Sequence, residues 1–153
     1  MPSGWEGPMY SVILAAVDAS PRADGVVATA LAIAERFDGR VHLFRAVDSP
    51  PAIPPAAATS PDPVPGMLEA RARNALKTLA AGRARIVVEE PDLATSHPWR
   101  AILAAAERLH AELIVVGSHG FEGWDRVIGT NAARVADRAR CHVLVVHEPP
   151  GFP

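Results

Sequence analysis

The chain has 153 residues, 49% of them hydrophobic, which suits one compact domain with a substantial core and leaves no room for a second. Its formal net charge is −2, and Lys77 is the single lysine among fifteen cationic residues, so composition offers no broad basic surface and no nucleic acid partner is expected. No apolar run approaches bilayer length, and Met1 to Met9 has neither the basic start nor the apolar stretch of a signal peptide, so the expectation is a cytoplasmic protein with no membrane contact. Cys141 is the single cysteine, which excludes an intrachain disulfide and reads as an inert thiol in a strand.

Ser11 to Val17 is a short apolar run ending in Asp18-Ala19-Ser20-Pro21, a strand followed by turn and helix-start residues. Val27, Ala30, Leu31 and Ala34 recur at helical spacing, with Arg22, Asp24, Glu35 and Arg36 on the wet side, and Gly39 is the expected close of that helix. Arg40 to Val47 reads as a second strand. From Asp48 to Pro65, Pro50, Pro51, Pro54, Pro55, Pro61, Pro63 and Pro65 deny both a strand ladder and a helix interior, which predicts a mobile loop (48–65) inside the domain.

Leu68, Ala72, Ala75, Leu76 and Leu79 give a second amphipathic helix closed by Gly82, and Ala84 to Glu89 a third strand. Ser96-His97-Pro98 opens a helix with Ile102, Ala105, Ala106 and Leu109 on one face, and Glu112 to Val116 is the fourth strand. In the last helix Thr130 is the expected N-cap and Ala132, Val135, Ala136 and Ala139 the buried stripe, before a fifth strand from Cys141 to His147. Apolar strands alternating with helices imply an α/β fold with an open parallel sheet covered on both faces.

Between the fourth strand and the last helix the chain reads Gly117-Ser118-His119-Gly120, then eight residues, then Gly129-Thr130-Asn131. Glycine lets backbone N–H groups approach a ligand closely, and a helix start adds unpaired donors and partial positive charge, so this loop is a candidate phosphate site. The arrangement resembles the signature of the universal stress protein family, which reads Gly, two residues, Gly, nine residues, Gly, then Ser or Thr; here the long gap is eight. The resemblance runs from Val12 to Val146. It is carried also by the Val12-Ile13-Leu14-Ala15-Ala16-Val17-Asp18-Ala19-Ser20 opening, the Pro98-Trp99-Arg100-Ala101-Ile102 helix start and the closing Val143-Leu144-Val145-Val146.

The resemblance implies a single domain over 1–153 with a five-stranded sheet in the order 3-2-1-4-5 and an adenine nucleotide, ATP or AMP, in the crevice between strands one and four. It implies adenine against Ala16, Ala46 and Val116, ribose beside Asp18, the inner phosphates wrapped by Gly117, His119 and Gly120, and the distal phosphates met by Gly129, Thr130 and Asn131. Asp18 read on its own is equally a helix cap, and His119 a surface residue. Mg²⁺ would accompany ATP, held by phosphate oxygens and water. A homodimer joined along the fifth strand is the expected assembly, and a nucleotide-dependent stress-response or regulatory switch the expected role.

Catalytic constellations are weak. Ser118-His119 and Ser96-His97 are sequence neighbours, and adjacency supplies neither a positioned base nor an orienting third group. No catalytic residue and no protein metal site is assigned, and hydrolysis at most slow is expected, since no lysine or general base is placed for phosphoryl transfer. The chain contains no P-loop and no Gly-x-Gly-x-x-Gly fingerprint. The rival reading is a stress-protein-like dimer that binds no nucleotide and serves as a protein-interaction module. A more distant one is an adenylating or flavodoxin-like enzyme, disfavoured because Asp18-Ala19-Ser20-Pro21 stands where those need a Ser/Gly- or Ser/Thr-rich loop.

Overall fold

The computed structural model describes residues 8–48, 64–94, 97–118 and 130–147. In chain order the elements are β1 Val12–Ala16, α1 Ala23–Phe37, β2 Arg40–Phe44, β3 Ala46–Asp48, α2 Val64–Ala80, β4 Ile86–Val88, β5 Asp92–Ala94, α3 Pro98–Leu109, β6 Leu113–Gly117, α4 Thr130–Arg138 and β7 His142–Val146. Five strands form one parallel sheet in the order β4-β2-β1-β6-β7. This is the expected 3-2-1-4-5 order once β3 and β5, which pair apart from the main sheet, are left out of the count.

Alternation along the strands feeds two cores. Ile13, Ala15, Val41, Leu43, Leu113 and Val115 point to one face, where α1 brings Val26, Val27, Ala30 and Ala34 and α2 brings Leu76. Leu14, Ala16, Phe44, Ile114 and Val116 point to the other, against Trp99, Ile102 and Ala105 of α3 and Ala132 and Val135 of α4. The central strands are therefore apolar on both sides, as a parallel sheet under two helical layers requires. Each fully buried aliphatic side chain contributes about 1.5–3 kcal/mol over leaving it exposed.

Several local expectations are corrected. The second strand breaks at Arg45: β2 stays in the main sheet, while β3 turns away to pair with β5, unforeseen in sequence because it is three residues long and opens on an aspartate. The third strand is shorter than expected, Ile86–Val88. Asp48 belongs to β3 and Val64 and Pro65 to α2, so the proline-rich expectation is cut at both ends; 49–63 lie outside the described residues. Ala75 and Ala136, placed in buried stripes by periodicity, are exposed.

The close of α1 is Asp38, not Gly39. Asp38 takes the left-handed conformation (φ 56°), which a short polar side chain tolerates. Gly39 is needed for a different reason: a Cβ there would run into the Tyr10 carbonyl oxygen at a separation no real Cβ adopts.

Candidate functional site

The sheet changes direction between β1 and β6: the chain steps outward from β1 to β2 and β4 on one side and from β6 to β7 on the other. Ligands of open α/β sheets lie at such a switch point, outside the strand C-terminal ends. There the structure holds a cavity of about 480 Å³, within the usual ~300–1,000 Å³ of small-molecule sites. Its wall draws on the end of β1 and the turn after it, the start of β3, both α3 and α4 near their N-termini, and the end of β6.

Six expected residues line this cavity: Ala16, Asp18, Ala46, Val116, Gly117 and Asn131. Thr130 opens α4 beside Asn131, and its side chain is not among those described. His119, Gly120 and Gly129 fall outside the described residues, so the glycine loop enters the structure only through Gly117, Ser118 and the helix it leads into.

Asp18 is held in place rather than capping α1. Its Oδ1 accepts the Ser20 N–H at 2.8 Å, and Ser20 Oγ in turn accepts the Arg22 N–H at 3.3 Å, two successive side-chain turns that lead the chain off β1. The Ala23 N–H then bonds the Ser20 carbonyl at 3.2 Å, and Arg22 occupies the cap position with no side-chain cap bond.

Gly117 has a packing role alongside its place in the wall. A Cβ on it would lie 3.3 Å from Val26 Cγ2, so its bareness lets β6 and α1 approach closely. The ladder then ends with the Ser118 N–H bonded to the Val146 carbonyl at 2.9 Å.

Ser118, Arg22 and Arg45 are among the lining residues that were not foreseen. Ser118 is 6% exposed and is the buried polar residue among those described; it sits inside the glycine motif, and period-2 alternation past Val116 would have turned it inward. Arg22 and Arg45 also line the cavity. Nothing in their sequence surroundings marks them, because Arg22 reads as a wet helix residue and Arg45 as strand interior. With Asp18 they make the described wall two cations to one acid, a balance suited to an anionic ligand.

Other chemistry-bearing groups lie elsewhere. His42 Nδ1 is 2.7 Å from Glu89 Oε1, and Glu89 Oε2 is 3.3 Å from Arg108, a partly buried chain linking β2 to α3. The Tyr10 hydroxyl meets His142 Nδ1 at 3.0 Å. Cys141 is half-buried, and desolvation raises its thiol pKa above the ordinary cysteine value, which keeps it a poor nucleophile. Among the described residues no helix is long and apolar enough to cross a membrane, and no group of three His, Cys, Asp or Glu side chains could hold a metal ion.

The switch-point cavity and two-faced parallel sheet place the chain in the class of open α/β proteins that take ligands at strand ends. The sequence model described as the universal stress protein family matches residues 9–147, and the chain belongs to that family. It is similar to universal stress protein A homolog 1 of Coxiella burnetii, 30% identical over 139 residues, covering 90% of this chain and 96% of that protein. The solved structure of the universal stress protein UspA from Lactobacillus plantarum superposes with a TM-score of 0.74 at 26% identity, over 92% of this chain and 99% of that one. A universal stress protein solved in complex with cAMP matches the fold with a TM-score of 0.60 at 24% identity, over 91% and 98%.

Proposed function

We propose that this chain binds an adenine nucleotide, ATP or AMP, in the switch-point cavity and acts as a stress-response or regulatory switch with at most slow hydrolysis. One observation carries the reading: segments far apart in sequence bring Ala16, Ala46 and Val116, Asp18, and the entry and exit of the glycine loop around one cavity of nucleotide size. Small apolar side chains suit a purine face, a carboxylate suits sugar hydroxyls, and a glycine-bounded helix start suits phosphate. The cAMP complex of a structural relative is in keeping with this ligand class. Mg²⁺ enters with ATP, held by phosphate oxygens and water. The described wall contributes one carboxylate, Asp18, already bonded to Ser20, which favours binding and orientation over fast phosphoryl transfer.

Assembly through β7 is part of the same proposal. β7 is a sheet edge, with Leu144 37% exposed and Val143, Val145 and Val146 partly buried. The His142 N–H bonds the Glu112 carbonyl and the Val146 carbonyl accepts from Ser118, so His142, Leu144 and Val146 turn their backbone groups toward β6. Those of Val143 and Val145 therefore face outward, the unpaired row to which a second β7 can add. Antiparallel pairing with its own copy gives a two-fold contact.

The test is thermal unfolding with ATP, AMP and no ligand, on the wild type and on Gly120→Val. Ligand at about a hundred times its Kd stabilises by about 2.7 kcal/mol, or about 5–10 °C for a chain this size. The wild type should show that rise and the folded variant should lose it, because a valine Cβ intrudes where backbone meets phosphate. No rise with either nucleotide, in a protein that is dimeric by light scattering, replaces this reading with the interaction module.

A further inference from the structure

The low overall charge hides a local concentration of arginine. Trp99, in the first turn of α3, is 8% exposed, and His97 stacks on its indole with centroids 6.0 Å apart and planes 17° from parallel. Three guanidinium groups converge on the same ring: Cζ lies 4.9 Å from its centroid for Arg138, 5.1 Å for Arg100 and 5.7 Å for Arg134. Arg134 and Arg138 stand one helical turn apart on α4, and Arg100 follows Trp99 on α3. The cluster therefore exists only because the two helices pack against each other.

The indole quadrupole attracts each cation, yet three cations share one ring. With all three within 5.7 Å of one point, no two Cζ atoms are more than about 11 Å apart, close to the Debye length of about 10 Å at 0.1 M salt, so each feels the others. Counter-charge from the described residues is slight: the Asp137 carboxylate reaches Arg138 Nε at 4.0 Å, both exposed. Among the described residues the side chains of Arg100 and Arg134 make no hydrogen bond or ion pair. All three arginines are exposed, and none lines the switch-point cavity, although Pro98 and Asn131 on the same two helices do.

We propose that this patch on the α3–α4 seam is a binding site for a multiply charged phosphate anion of tripolyphosphate size. Guanidinium forks match phosphate oxygens two at a time, and several forks around one ring offer more donors than a single carboxylate accepts. Trp99 is buried beneath them, so it holds the arginines in place and presents no apolar anchor to a peptide. The anion is either free or the phosphate tail of a nucleotide seated in the neighbouring cavity. The site does not require the cavity to bind nucleotide.

The experiment titrates sodium tripolyphosphate into protein carrying Trp5→Phe and Trp124→Phe, which leaves Trp99 as the fluorophore. A saturable one-to-one change in emission is expected. Arg134→Gln with Arg138→Gln should weaken it by about tenfold or more through loss of charge-assisted contacts, and Arg100→Gln alone, on the other helix, should weaken it severalfold. Arg36→Gln with Arg71→Gln removes equal charge from α1 and α2 and should leave it within about twofold, as distant exposed charges are screened. Circular dichroism checks folding of each variant, and the Arg100→Gln result stands if the double variant does not fold. Competition by ATP assigns the site to a nucleotide tail, and additive binding to a free anion. Absence of saturable binding, equal weakening in the seam and control variants, or displacement by oligoglutamate at the same concentration as by tripolyphosphate overturns the proposal.

Discussion

Asp18→Ala divides the structural role of this carboxylate from its role toward ligand. The structure sets the first part: Oδ1 accepts the Ser20 N–H at 2.8 Å, at the head of the turn that carries the chain into α1. Losing one such bond costs about 0.5–1.5 kcal/mol, or roughly 1–6 °C in Tm for a chain of this length. If the carboxylate also accepts ribose hydroxyls, losing a charged acceptor costs a further 1.5–3 kcal/mol or so of binding, about tenfold to 150-fold in Kd. Asp18→Asn separates the two, since the amide oxygen still accepts from Ser20 while the charge is gone: near-wild-type Tm, weakened nucleoside.

The charge balance of the wall sharpens the assay. Removing Asp18 leaves Arg22 and Arg45 as the charged lining residues described, which favours an anionic ligand. Adenosine should therefore lose its full share of affinity, while ATP loses less because reduced repulsion of its phosphates offsets the missing ribose bonds. Isothermal calorimetry with both ligands on the folded variants gives the comparison. Unchanged adenosine affinity in Asp18→Ala would refute the ribose role and leave Asp18 as a turn residue.

Two further substitutions test the fold and the assembly. Gly39→Ala should destabilise by about 3 kcal/mol or more, the upper range for overpacking, because its Cβ meets the Tyr10 backbone carbonyl rather than a side chain that can move; Gly25→Ala, with no atom within 4 Å of the added Cβ, should stabilise α1 by about 0.5–1 kcal/mol. Denaturant melts measure both, and equal effects would show that propensity rather than close approach governs these sites. Val145→Pro deletes a donor that faces away from β6, so light scattering should find a folded monomer where the wild type is a dimer; a dimer that survives places the contact elsewhere.

The strands of the main sheet were legible because β1, β4 and β6 are unbroken apolar runs and β2 and β7 are mostly apolar, and the strand order came with the family resemblance rather than with any pattern in the residues. What escaped reading was decided by tertiary geometry. Ala75 and Ala136 lie at the correct period for a buried stripe, but alanine is too small for its hydrophobicity to report which side of a stripe edge it occupies, and both are exposed. Gly39 looked like a helix terminator because glycine prefers that place, whereas its neighbour Asp38 adopts the left-handed turn and Gly39 answers to Tyr10, which precedes it by a whole helix. Of the site, Ala16, Ala46 and Val116 came from the family resemblance, and Asp18 and Gly117 from the switch-point rule applied to the strand order that the resemblance supplied. Arg22 and Arg45 came from neither, since a cation on a predicted helix or strand reads as solvated until the turn that aims it is known.

The break at Arg45 also explains why the cavity exists. A second strand running unbroken from Arg40 to Val47 would continue alongside the chain leaving β1. Instead the pairing with β1 ends at Ala16 and Phe44, with one further bond from the Val17 N–H to the Phe44 carbonyl at 2.9 Å. Beyond it the Asp92 N–H takes the Arg45 carbonyl at 3.1 Å, and β3 continues with β5 as its partner. That exchange gives the backbone groups of 46–48 that face β5 their partners without β1, so β1 is released to turn through Asp18 and Ser20 into α1. The two diverging chains leave between them the space that Ala16, Asp18, Arg45 and Ala46 line from opposite sides. On this account the short β3–β5 pair helps to shape the cavity although neither strand is apolar enough to announce itself, and the cavity's form is set by where β2 stops pairing with β1 as much as by Gly117 and Ser118 at the end of β6.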